Sequence, residues 1–282
     1  MTVRKYAEEI ASMIGDTVTV KEINKPNGIV KYGITKLSDE RITPVCYVDD
    51  LFNDGVSVIE AASRIKEFLN TKAPTLEIEV GNVTDFEEIK SRLRARLYHQ
   101  TTRAEVYRYA TDYGFDDLII IPYIQISPEA SIKVTSDLLS SWGVSADKVI
   151  DIAIENTKAD VVYKSMQEIL VEMMGEEALS LTPENSASLT VVTNKSKMFG
   201  AISVIYLLDA FKEKFPKGFT VVPSSVHEII VTSIKDDISD MVRSVNASAV
   251  NPVDVLSDHV YFFKGMGEDV DEYMEILKAI NM

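Results

Sequence analysis

Leu118-Ile119-Ile120-Ile121-Pro122-Tyr123-Ile124-Gln125-Ile126, followed by Ser127-Pro128-Glu129-Ala130 and Ser131-Ile132-Lys133-Val134-Thr135, is the stretch whose reading decides the fold. The isoleucine-rich run is short and bounded by turn residues, so it reads as a buried strand. Ser127–Ala130 reverses the chain into a second strand, and the whole is a hairpin. Hairpins are antiparallel. Strands arranged this way, with helices set apart from them, point to an α+β fold and away from a doubly wound parallel sheet.

Moving towards the N-terminus, Arg103–Tyr113 is expected to be a helix that stops at Gly114. Thr84 with Glu87 forms a capping box, and Phe86, Ile89, Leu93 and Leu97 make one apolar stripe of a preceding helix. Leu76–Val80 reads as a strand. Ser57 with Glu60 starts a helix carrying Val58, Ala62, Ile65 and Leu69 on one face. Thr17–Ile23 and Ile29–Leu37 flank the turn Asn24-Lys25-Pro26-Asn27-Gly28, with a third strand at Pro44–Val48. Residues 1–15 are an amphipathic helix without the apolar core of a signal peptide.

Moving towards the C-terminus, helices are expected at Ser136–Trp142, from Ser145 past Val149, Ile152 and Ala153, and along Val162, Met166, Ile169, Leu170 and Met173 to Gly175. Strands follow at Ser188–Thr193, Phe219–Val222, His227–Thr232 and His259–Phe263. Between them lie helices at Ala201–Lys214 and along Ile238, Met241, Val242 and Val245. A last helix carries Val270, Tyr273, Met274 and Leu277. Trp142 and the methionines Met166, Met173 and Met174 read as core. The expected architecture is α+β, with antiparallel hairpins or a mixed sheet and packed helices. It divides into an N-terminal lobe, 1–115, and a C-terminal domain, 116–282, or else forms a single domain.

The chain has 282 residues, 46% hydrophobic and 26% charged, which suits a folded core rather than disorder. Its formal charge is −15, from 44 acidic and 29 basic side chains. Such a surface repels phosphate backbones and anionic membranes, so nucleic-acid and membrane partners are disfavoured and a protein partner is the better expectation. The apolar runs are too short to span a bilayer, and the reading is cytoplasmic. The single cysteine, Cys46, excludes an intrachain disulfide and a cysteine zinc site.

Phosphate-binding loops, dinucleotide fingerprints, His-Glu-x-x-His and nucleophile elbows are all absent. What stands out is Pro223-Ser224-Ser225-Val226-His227-Glu228. Ser224 or Ser225 as nucleophile, His227 as base and Glu228 or Asp258 as its orienter would make a hydrolase. His227, His259 and Asp258 would suit a metal if the two segments meet. The plainer reading is a turn that Pro223 begins, with Ser225 and Glu228 spaced as a capping box. A local charge inversion, Lys90, Arg92, Arg94, Arg96, Arg103 and Arg108, offers an anion or nucleic-acid contact. On a helix it splits into two stripes, Arg92, Arg96 and Arg103 on one of them, as a solvated flank would. No cofactor is implied.

Trp142-Gly143-Val144-Ser145-Ala146-Asp147-Lys148 through Ala153 and Asn156-Thr157, Val222–Glu228, and Leu256-Ser257-Asp258-His259-Val260-Tyr261 are three ordered signatures. Together they resemble an uncharacterised domain family widespread in gut Firmicutes, from about Gly28 to the C-terminus. The resemblance implies an intracellular bacterial protein and brings no established catalytic residues. The functional expectation is a non-catalytic binding or interaction protein, with the Ser224/Ser225–His227 hydrolase as the alternative.

Overall fold

The isoleucine run forms strand β6 (Leu118–Gln125), buried along all but its last residue. In the computed structural model, which describes residues 1–37, 45–70, 83–127, 130–177, 189–234 and 236–267, β6 is the centre of an antiparallel sheet. It pairs on one side with β4 (Leu93–His99). On the other it pairs with β5 (Arg108–Tyr109) through Ile119 and Ile120, and with β7 (Ser131–Lys133) through Tyr123 to Gln125. Pro122 sits in the gap between these two ladders. Its cross-strand partner Ala95 sends its N–H away from β6, to Thr157 Oγ1 at 2.9 Å, so Pro122 presents its donor-less nitrogen to the gap. A proline is therefore tolerated in mid-strand. The expected hairpin 118–135 is present, although Pro128 and Glu129 of its turn lie outside the described residues.

Two expected helices are strands instead. The stripe Phe86, Ile89, Leu93, Leu97 breaks into a short helix α4 (Phe86–Ile89), a 3-10 turn (Lys90–Arg92) and β4. Asp85 caps α4, accepting from the Glu87 and Glu88 amides at 2.9 and 3.3 Å. Leu93 and Leu97 fit a period of four and a period of two equally well. Pairing with β6 decides for the strand, with Leu93, Ala95 and Leu97 buried on one face. Likewise 103–113 holds β5 and a 3-10 turn (Thr111–Tyr113), ending as expected at Gly114, whose φ is 85°. Helices α5 (Ser136–Trp142) and α6 (Ala146–Thr157) form as expected, each capped by the hydroxyl before it. At its C-terminal end α6 covers the β4 edge: Thr157 takes the Ala95 amide, and Asn156 Nδ2 donates to the carbonyls of Lys90 and Leu93 at 2.8 and 3.2 Å.

A second antiparallel sheet has the order β12-β10-β11-β9-β8. Its strands are β8 (Val161–Ser165), β9 (Thr190–Asn194), β10 (Phe219–Val222), β11 (Ile229–Thr232) and β12 (Tyr261–Phe263). Val162 thus belongs to a strand. The following helix α7 (Met166–Met174) starts at a capping box of Ser165 and Glu168, and its Met173 and Met174 are exposed rather than core. Residues 201–214 divide into a buried 3-10 helix (Gly200–Tyr206) and α8 (Leu208–Lys214). Helix α9 (Ser239–Ala249) begins where Asp237 Oδ1 accepts the Ser239 amide at 3.0 Å. Trp142 is partly buried and donates to the Val83 carbonyl at 2.8 Å.

The residues above fall in one compact unit, Val80–Met282; Met1–Glu79 forms another. A cut at 115/116 would sever the β4–β6 ladder. The smaller unit has helix α1 (Val3–Ile14), strands β1 (Val18–Asn24), β2 (Val30–Lys36) and β3 (Cys46–Tyr47), and helices α2 (Asp49–Asn53) and α3 (Val58–Asn70). The expected β1–β2 hairpin is antiparallel from Val18 opposite Lys36 to Asn24 opposite Val30. Its core gathers Tyr6, Ile10, Ile34, Ala62, Ile65 and Leu69. Burial raises the Cys46 thiol above its ordinary pKa, which suits an inert side chain. Among the described residues no helix is long and apolar enough to cross a membrane. The strand expected at Leu76–Val80 and the helix along Val270–Leu277 lie outside the described residues.

Candidate functional site

The alternation along β4 that buries Leu93, Ala95 and Leu97 sends Arg94, Arg96 and Tyr98 to the opposite face. There Arg96 lies between two aromatic rings, its guanidinium carbon 4.2 Å from the Tyr123 ring centre and 3.8 Å from that of Phe199. Arg96 is only 8% exposed. One guanidinium nitrogen donates to Ser131 Oγ at 2.9 Å and to Gln125 Oε1 at 3.3 Å. Both acceptors are neutral, and no carboxylate pairs with Arg96 among the described residues. A buried charge without a counter-charge is costly, and the cost persists only where something offsets it.

Arg96 lines a cleft of about 400 Å³ with Arg94, Gln125, Ser127, Asn194, Ser196 and Phe199. Asp160 is the cleft's acid, shared by Arg94 at 3.6 Å and Lys195 at 3.8 Å. Positive charge is therefore in excess here, within a chain of net charge −15.

The loop that supplies Phe199 is held in an uncommon conformation. Phe199 has φ 56°, in the left-handed region that a bulky side chain rarely adopts. Asn194 wraps the loop, its Oδ1 accepting from the Met198 amide at 3.2 Å and its Nδ2 donating to the Met198 carbonyl at 2.8 Å. The Phe199 amide donates to His227 Nδ1 at 3.1 Å, and the two rings lie 5.3 Å apart. The Gly200 amide and Thr193 Oγ1 both donate to the His227 carbonyl, at 3.1 and 2.8 Å. Gly200 is required by close approach, since a Cβ there would meet Thr193 Oγ1 at 2.4 Å and the Asn194 nitrogen at 2.6 Å. His227 is thus the post behind the aromatic wall of the cleft.

That role bears on the Pro223–Glu228 cluster. His227 Nδ1 is occupied by an amide, and Nε2 faces Asp254 Oδ1 at 3.6 Å. Ser225 Oγ accepts the backbone amide of His227 at 3.1 Å, and the Ser225 amide donates to the Glu228 carbonyl at 3.1 Å. The Ser224 amide closes on the Val222 carbonyl at 3.0 Å. The segment is a turn, as the plainer reading held, but of bends rather than helix, and Glu228 uses its carbonyl rather than its side chain. No serine hydroxyl is joined to the His227 ring among the described residues.

His259 belongs to a different group. His99, at the end of β4, lies opposite Leu118, which puts it beside Asp117. Asp117 Oδ2 accepts from Ser257 Oγ at 2.9 Å and lies 3.3 Å from His99 Nε2, while Oδ1 accepts from the Tyr261 hydroxyl. Burial pushes the Asp117 pKa up, but the donors His99, Tyr261 and Ser257 and the nearby His259 outweigh it, and the carboxyl ends below its ordinary value. Burial, then Asp117, raises the Tyr261 phenol. His259 faces Asp116 Oδ1 at 3.5 Å and Asp117 Oδ2 at 3.7 Å. Asp258 instead accepts from Asn246 Nδ2 at 2.8 Å. Among the described residues, Asp116, Asp117 and His259 are the set whose ligand atoms converge, all within 4.8 Å of one another. Of the metal ligands expected from sequence, His259 alone is in it.

The remaining basic residues behave as a solvated flank. Lys90 pairs with Glu87, and Arg108 with Asp147 and Asp151 at 3.1 and 2.7 Å. Arg92 and Arg103 are exposed and lie on different elements from Arg96, so the helical stripe of these three does not exist.

Fold and cleft together define an α+β protein of antiparallel sheets with a cation-lined recess beside the central strand. The chain belongs to a family of unknown function, DUF5688, whose model matches residues 2–265. No curated protein and no solved structure matches it.

Proposed function

We propose that this is a binding protein, not a catalyst, and that the Arg94–Arg96 cleft takes a small anionic ligand bearing a carboxylate or phosphate. The observation that carries the reading is Arg96, a buried guanidinium fixed between two rings, hydrogen-bonded to neutral groups and without a carboxylate among the described residues. Guanidinium presents a rigid fork that matches planar oxyanions, and stacking on aromatics orients it in advance. Gln125, Ser127, Asn194 and Ser196 add polar groups to the same cleft. A recess of about 400 Å³ suits a metabolite rather than a polymer. His227 supports the wall through Phe199 and needs no chemistry of its own. The resemblance to an intracellular family of gut Firmicutes supports a bacterial cytoplasm as the place where the ligand is met.

Calorimetric titration with inorganic phosphate and with citrate tests the reading. Binding of at least one is expected, weakening about tenfold or more in Arg96→Gln and also in Arg96→Lys, which keeps the charge but loses the fork. Affinity equal in the wild type and both variants, or no heat with either anion, overturns it.

A further inference from the structure

We infer that the ligand of the Arg94–Arg96 cleft is an acidic amino acid, an amino dicarboxylate of the size of glutamate or aspartate. This rests on the anion-binding reading of the cleft, to which it adds the ligand's other groups. Most polar side chains lining the cleft are spent within the chain. Gln125 accepts from Arg96 through Oε1 and donates through Nε2 to the Ser127 and Ala130 carbonyls. Thr157 Oγ1 donates to the Ala153 carbonyl at 2.7 Å and accepts the Ala95 amide at 2.9 Å. Ser196 Oγ donates to Asn194 Oδ1 at 3.0 Å and accepts the Met198 amide at 3.3 Å. Asn194 itself serves Met198 through both its Oδ1 and its Nδ2.

The charged groups keep capacity in reserve. Arg96 hydrogen-bonds through Nη2, and its Nε and Nη1 make no hydrogen bond among the described residues. Arg94 gives Nη1 to the Ser91 and Leu93 carbonyls at 3.0 and 2.9 Å, which leaves Nη2. Asp160 makes no side-chain hydrogen bond among the described residues. Arg94 Nε and Lys195 Nζ stand off from it at 3.6 and 3.8 Å, ion pairs longer than a hydrogen bond. Its oxygens therefore keep lone pairs for a donor. Arg94 and Arg96 lie two residues apart on one face of β4, so their side chains leave the strand about 6.6 Å from each other, and one small molecule can bridge them. Two guanidinium forks and one carboxylate are the complement of two carboxylates and one ammonium. A phosphate or a dicarboxylate without an amine sets its charge against Asp160 and leaves those lone pairs unanswered. An amino acid with a neutral side chain leaves one guanidinium unanswered. A cleft of about 400 Å³ accommodates a molecule of this size.

The test is calorimetric titration of the full chain with L-glutamate against glutarate and with L-aspartate against succinate, each pair differing only in the amine. At least one amino acid is expected to bind about tenfold or more tighter than its amine-free partner. Asp160→Asn should cancel that preference while glutarate and succinate bind as well as before or better, since an acid has been removed from an anion site. Retained binding of these diacids also shows that the variant is folded. If neither amino acid binds more tightly than its partner, or if Asp160→Asn leaves the preference intact, the inference fails. Citrate or phosphate binding in the same wild-type protein would then leave the anion-binding reading standing, whereas no heat with any of these ligands overturns both.

Discussion

Strand β4 carries two charged sites of opposite sign, and they are satisfied in opposite ways. In mid-strand Arg96 is a buried cation with aromatic planes on both sides and two neutral acceptors. At the strand's end His99 leans on Asp117, a partly buried anion surrounded by donors from Ser257 and Tyr261 as well. Asp117 has both oxygens engaged by its own chain, so it works as an anchor. Arg96 hydrogen-bonds through one nitrogen and lines an open cleft, so it has capacity to spare. A charged side chain whose hydrogen bonds are spent internally belongs to the scaffold. One with bonds in reserve beside a cavity is where a ligand is to be sought.

The largest effect expected from this contrast is at the anchor. Asp117→Asn keeps the shape but sets an amide N–H₂ against the donors Ser257, Tyr261 and His99. Leaving such a partly buried network with mismatched donors should cost about 3 kcal/mol of stability. Urea unfolding of the variant measures it. A loss below about 1 kcal/mol would mean that Asp117 is no anchor, and the contrast would be broken.

Arg96→Met should behave in the opposite way. It forfeits two hydrogen bonds and the ring contacts, but it removes a desolvated charge and leaves an apolar chain of similar reach between Tyr123 and Phe199. The unliganded variant is expected within about 1 kcal/mol of the wild type in the same unfolding experiment. Should it lose 3 kcal/mol or more, as expected of the anchor, Arg96 would be an internal strut, and its lack of a carboxylate would say nothing about ligands.

Much of this frame was legible in the sequence, and the limits have physical causes. The hairpin at 118–135 could be read because an isoleucine run of that length, closed by Ser-Pro-Glu-Ala, has few alternatives. Strand β4 could not, because Leu93 and Leu97 fit both periodicities and only the β6 ladder separates them. That one ambiguity also hid the cleft. On a helix Arg94 and Arg96 fall on different stripes, whereas on a strand they share a face. Arg96 stacks on Phe199, which stands far along the chain in a strained loop that no local pattern announces. The Pro223–Glu228 cluster did mark a special residue. Its role, holding Phe199 through His227, depends on a contact between separate segments. Asp116 and Asp117 sit directly before the strand that decides the fold, yet an acid pair there is unremarkable until the ladder brings His99 beside it.

The smallest expected effect provides a control for the acidic side of the comparison. Asp237 lies within electrostatic reach of His259 but outside the converging set. Its hydrogen bonds with Ser239, and more weakly Arg243 and His259, hold its carboxyl below the ordinary value. A lowered pKa means that the charged form is favoured in the folded state. The stabilisation is therefore present above the unfolded pKa of about 3.9 and is lost as the pH falls through the folded value. Asp237 is largely exposed, so solvent screening reduces what the shift is worth, and a helix-start carboxylate contributes about 0.5 kcal/mol. Asp237→Ala should cost that much at neutral pH and nothing once the wild-type carboxyl is protonated, measured by urea unfolding across pH. A loss in Asp237→Ala that stays the same at every pH would show that the charge of this carboxylate does not hold the helix start.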